Sequence, residues 1–139
     1  MSKRWTIMPT DNGRIYWHLL NNNQDMPIEK TVAHFKEAMD RLNDIIYPIR
    51  MQATSDPEKA HITMYFCEDG DENLPKPFED SLAYAYYPFT DRKGEQYYND
   101  HYDWTNTRRF SLTRTIMHET LHSLGIPHNE IDKECLMTP

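Results

Sequence analysis

The sequence predicts a single α+β domain, and three observations predict it. Two segments carry the three-and-four spacing of an amphipathic helix. Several short segments alternate with the period of a strand, and they fall between and before those helices. The chain has 139 residues, enough for one core and too few for two domains of ordinary size.

Residues 14–20, RIYWHLL, read as a strand in which Ile15, Trp17 and Leu19 alternate with Tyr16, His18 and Leu20. The cluster NNNQD then breaks the pattern. Pro27 is placed as the first residue of a helix, where its missing N–H costs nothing. Val32, Phe35, Met39, Leu42 and Ile46 follow on one helical face, and the helix ends before Pro48. Residues 49–53 alternate as a short strand. Residues 61–66, HITMYF, form a clearer one, with Ile62, Met64 and Phe66 on one face. EDGDENLPKPFED reads as a loop. Residues 81–87, SLAYAYY, read as a further strand, with Leu82, Tyr84 and Tyr86 opposite Ala83 and Ala85. Residues 111–124 read as the second helix. Ser111 is its N-cap and Gly125 its terminating residue, and Phe110, Met117, Leu121 and Leu124 face the core.

Composition narrows the function classes. The formal net charge is -7, which provides no electrostatic footprint for nucleic acid or an anionic membrane surface. No apolar run is long enough to cross a bilayer, and MSKRWTIMPT lacks the apolar core of a signal peptide. Localisation is left open. Cys67 and Cys135 are too few for a disulfide framework; they could form one bridge, and two free thiols is the favoured reading. A monomer is expected.

The chemistry concentrates in HETLHSLGIPH, from His118 to His128. Helix positions i and i+4 share a face, so His118 and His122 can aim two imidazoles at one metal ion. Glu119 is one step round the helix, placed to reach a water on that metal instead of the metal itself. Gly125 lets the chain turn back, and His128 then arrives from the other side. Three nitrogen ligands with the fourth tetrahedral position open is the layout of a catalytic zinc site.

This spacing, with Met137 nine residues beyond His128 in "CLMTP", resembles the metzincin metalloproteases and their Met-turn. The likeness extends to the matrixins, the matrix metalloproteinase branch, over nearly the whole chain. "RWT" and "DMPIEKTVAHFKEAMDRLN" resemble that family's first strand and first helix. "AHITMYF" resembles its third strand, "PFEDSLAYAYYP" the loop and edge strand along its cleft, and "YYNDHYDWT" the segment closing its metal-binding loops. The resemblance implies a twisted, mostly parallel sheet with an antiparallel edge strand, a backing helix and an active-site helix. It implies one catalytic zinc held by His118, His122 and His128, with Glu119 as general base and Met137 packed beneath the histidines. It also implies protein or peptide substrates, paired as an added strand along Ala83, Tyr84, Ala85 and Tyr86. Arg114, four residues before His118, matches a position that lines the pocket for the residue after the scissile bond; the other reading is a solvated surface residue turned outward.

The chain departs from the family at identifiable positions. Tyr84 and Tyr97 stand where matrixins carry histidine ligands of a second, structural zinc, and a phenol is a poor zinc ligand near neutral pH. No structural zinc is expected. Asn99 and Tyr102 replace acidic calcium ligands. Glu68, Asp69, Asp71 and Glu72 offer the remaining calcium candidate, for which a solvated loop is the favoured reading. Asn129 follows His128 where the family usually has Ser, and the chain stops at Pro139, so the family's last helix is expected to be missing. The expected function is a zinc-dependent endopeptidase. Two other readings stay open: a zinc-containing binding module without turnover, and a zinc hydrolase of non-protein amides such as cell-wall peptides.

Overall fold

Arg14–Leu19 forms strand β1: Ile15 and Trp17 are buried in the core as expected, but Tyr16 between them is buried as well, stacked on His61. The structure, a computed structural model, describes residues 8–127. Helix α1 spans Ile28–Ile46. Pro27 is its N-cap and not its first helical residue, because its ψ of 148° is extended. From there its carbonyl accepts the N–H groups of Lys30 and Thr31. Of the predicted stripe, Phe35, Met39 and Leu42 are buried, while Val32 and Ile46 at the margins are half-buried. A cis peptide joins Tyr47 to Pro48 beyond the helix end.

Strands β2 (Arg50–Ala53) and β3 (Ile62–Cys67) follow, then β4 (Ala83–Ala85), β5 (Glu95–Asn99) and helix α2 (Leu112–Leu124). The sheet order is β2-β1-β3-β5-β4. All pairs are parallel except β4 against β5, so the antiparallel strand is at the edge. The segment 81–87 yields only three residues of strand. β5 carries no apolar period that would mark it: its residues are Glu95, Gln96, Tyr97, Tyr98 and Asn99.

The two faces of the sheet are built differently. Ile15, Trp17, Met51, Ile62, Met64, Phe66 and Tyr98 pack with α1 and α2 into the main core. On the opposite face a second cluster forms around Cys67, Phe78 and Tyr97, with Tyr65, Leu74, Tyr84 and Tyr86 packed against it. This cluster seats the 68–80 loop. Tyr84 lies 5.3 Å from Phe78 and 5.4 Å from Tyr97, between ring centroids, and its hydroxyl donates to the Lys76 carbonyl at 2.7 Å. At the start of β5, Gly94 has φ +80°, and a Cβ there would fall 1.9 Å from the His61 carbonyl oxygen. Only glycine lets β5 approach β3 this closely.

The aromatic cluster has a pH signature. Burial pushes Tyr84 up to about 12 and Cys67 up to about 12. Tyr97 is also raised, by burial first and then by its hydrogen bond to Glu95. An unfolded phenol ionises near pH 10, so the fold holds these phenols neutral. Their contribution is intact below about pH 10 and is lost as pH rises through the folded-state values. Tyrosinate absorbance and far-UV circular dichroism should therefore change together between about pH 10 and 12. Cluster tyrosines that ionised near 10 with the dichroism unchanged would contradict this packing.

Candidate metal centre

Helix α2 is built as its sequence indicates. Ser111 Oγ accepts the Arg114 N–H at 3.1 Å and caps the first turn. At the other end Gly125 has φ 114° and ψ 9°. Its N–H bonds the His122 carbonyl, and the Ile126 N–H bonds the Leu121 carbonyl, both at 2.9 Å. That pair of bonds is a Schellman closure. It folds Ile126 back over the last turn, where its carbonyl meets His122 Nδ1 at 2.8 Å.

This contact fixes what His122 can do. A carbonyl only accepts, so Nδ1 carries the proton and Nε2 presents a lone pair. Nε2 lies 3.2 Å from His118 Nε2. Two ligands of a tetrahedral zinc with bonds of roughly 2.0–2.1 Å are separated by about 3.3–3.4 Å, so the pair fits that ion closely. A residue that orients a ligand through its other ring nitrogen is the usual companion of a metal-binding histidine.

Glu119 is 6% exposed, and burial pushes its carboxyl up to about 8. Its charge also contributes to raising the hydroxyls of Tyr87 and Tyr98, after burial in each case. The helix is anchored to the sheet by polar groups. Gln96 Nε2 donates to Thr120 Oγ1 and Ser123 Oγ, both at 3.2 Å, while its Oε1 accepts the Tyr98 hydroxyl. Sequence reasoning missed Gln96, because a buried glutamine becomes sensible only with these partners in place.

A family model of the matrixin peptidases matches residues 5–139. The chain belongs to the matrixin family. This matrixin has the expected α+β architecture, and its family consists of zinc metalloproteases.

Of the residues singled out in the sequence, His118, Glu119 and His122 are brought together on α2. His128 and Met137 lie outside the described residues, as do Cys135 and Asn129. Among the described residues no cluster of three or more His, Cys, Asp or Glu side chains is placed to hold a metal. Ala83, Tyr84 and Ala85 form the edge strand, but the Tyr84 ring belongs to the loop cluster on the face opposite the helices. Tyr86 packs on Tyr84 and Tyr97 in the same cluster. Arg114 is exposed on the first turn of α2.

Asn99 and Tyr102 tie loops together directly. Asn99 Nδ2 donates to the Ser81 carbonyl, and the Tyr102 hydroxyl donates to the Asp80 carbonyl. The loop carboxylates also serve their own loop. Asp69 accepts the Phe78 N–H, and Asp71 accepts the Asn73 N–H and the Tyr65 hydroxyl. Cys67 is a buried free thiol. A further residue of the centre, Tyr87, was not singled out by the sequence. It packs edge-on against His122 with centroids 5.5 Å apart.

Proposed function

We propose that this matrixin is a zinc-dependent endopeptidase in which His118, His122 and His128 hold the metal and Glu119 is the general base. The observation that carries this is the facing pair of Nε2 atoms, 3.2 Å apart, beside a buried glutamate on the same helix. When bound, zinc supplies a Lewis acid that makes water acidic and draws charge from a carbonyl oxygen. The protein's own contribution is to move the proton. Glu119 takes it on a carboxylate oxygen and passes it to the departing amine nitrogen. The Ile126 carbonyl keeps His122 in the ligating tautomer. An extended substrate pairs with β4, whose outer edge has no strand beside it among the described residues.

The test is incubation of the full chain with a peptide library, with and without a zinc chelator, beside a parallel digest of purified cell wall. Chelator-sensitive cleavage of peptides at internal bonds supports the reading. Release of cell-wall fragments with every peptide intact would replace it by the non-protein amide reading. Zinc binding without any turnover would leave a binding module.

The same library tests Arg114. It stands one helical turn before His118, where a long side chain would shorten the pocket for the residue after the scissile bond. The wild type should prefer small, polar or acidic residues there. Arg114→Leu should shift preference toward Leu or Phe by roughly tenfold, the effect of about 1–3 kcal/mol in such a pocket. Unchanged preferences would place Arg114 outside the pocket.

A further inference from the structure

The chain leaves β4 through a tight turn beside the metal centre. The Tyr87 carbonyl accepts two bonds, from Thr90 N–H at 3.2 Å and from Thr90 Oγ1 at 2.9 Å. Pro88 occupies the second position of this turn and is buried, so the turn is rigid at the point where Tyr87 departs. Phe89 is stacked on the Tyr87 ring, with centroids 5.3 Å apart and planes 8° from parallel. Phe89 is itself 66% exposed, so an aromatic side chain stays in water in order to brace another. That braced ring and His122 form a T-shaped pair, with planes 71° apart.

We propose that Tyr87 is a positioning residue for His122: its ring, fixed by the Pro88 turn and the Phe89 stack, holds the imidazole with Nε2 turned toward His118. The proposal deepens the functional reading and rests on His122 being a zinc ligand. The Ile126 carbonyl restrains one ring nitrogen, and the Tyr87 ring packs against the imidazole itself. Contact with the ring adds to the restraint on its tilt, so the ligand is set before the metal arrives. The ring carries the effect and the hydroxyl does not. The Tyr87 oxygen is 3.4 Å from His122 Nδ1, whose proton is already engaged by Ile126 at 2.8 Å.

The experiment measures the zinc dissociation constant of the full-length protein by competition with a chromophoric chelator, and the melting temperature of the metal-free form as a control on folding. Tyr87→Ala should weaken zinc roughly ten- to a hundredfold, the cost usual for losing a group that orients a metal ligand. Tyr87→Phe should stay within about twofold of wild type, because the ring remains. Phe89→Ala should weaken zinc roughly threefold through loss of the stack. It changes an exposed side chain, so it carries the test should Tyr87→Ala fail to fold. Unchanged affinity in folded Tyr87→Ala overturns the proposal, and so does unchanged affinity in Phe89→Ala. Loss in Tyr87→Phe equal to that in Tyr87→Ala would overturn the assignment to the ring. A wild-type protein that binds no zinc overturns the functional reading and this inference with it. Wild-type binding with indifferent variants overturns this inference alone.

Discussion

Replacing Glu119 by alanine should lower kcat for peptide hydrolysis by about 10²- to 10⁴-fold, the range for loss of a positioned acid–base group, and leave the zinc bound. The separation of the two effects follows from the helix. Glu119 is one residue beyond His118 and so points about 100° round the helix from His118 and about 60° from His122, off the line on which the two histidines face each other. Its removal takes no nitrogen from the metal. Glu119→Gln is the sharper variant, because it keeps the volume of a side chain that is 6% exposed and removes only the ability to take a proton. Its activity should fall as far as that of the alanine variant. Loss of zinc in Glu119→Gln, read by metal analysis of the dialysed protein, would make Glu119 a ligand and defeat its assignment as base. Retained activity would defeat it from the other side.

The elements legible in the sequence were those in which burial and polarity differ residue by residue. Ile62, Met64 and Phe66 in β3, and Phe35, Met39 and Leu42 in α1, write their buried face directly into an apolar period. The limits of α2 were legible because its two end residues, Ser111 and Gly125, each do a job few residues can do. β5 was not legible for the opposite reason. Its inward residues are Gln96 and Tyr98, and Gln96 is acceptable in the core only because Thr120, Ser123 and Tyr98 take up its hydrogen bonds. Two of those partners lie 24 and 27 residues further along the chain. The centre divides along the same line. His118, Glu119 and His122 fall on one helix, so local spacing brings them together. Tyr87 reaches His122 from a turn 35 residues earlier, and only the register of β4 on β5 carries it there. The rings of Tyr84 and Tyr86 point into the loop cluster because side chains alternate across a sheet, and Tyr84 pairs with Tyr97 on the face away from the helices.

Replacing His118 by alanine should remove both zinc and activity. A full set of four zinc ligands is worth about 10–16 kcal/mol in structural sites, so one ligand accounts for at least roughly 2.5 kcal/mol, or somewhat under a hundredfold in affinity. The loss should exceed that share, because the geometry is cooperative. In the metal-free protein the two Nε2 atoms, 3.2 Å apart, cannot both present lone pairs without repulsion, so one carries a proton that the metal has to displace. With His118 gone, His122 keeps its Ile126 contact but faces an empty position, and a single imidazole on a helix does not chelate. The fold should survive. His118 is only half-buried, and α2 is held by Leu112, Ile116, Leu121 and Leu124 in the core and by Gln96 from the sheet. The melting temperature of metal-free His118→Ala should therefore match that of metal-free wild type, while metal analysis shows one zinc per chain in the wild type and none in the variant. A wild-type count near two, with the second ion unaffected by His118→Ala, would show that the loops around Tyr84 and Tyr97 hold a metal after all. A variant that keeps its zinc would remove His118 from the ligand set.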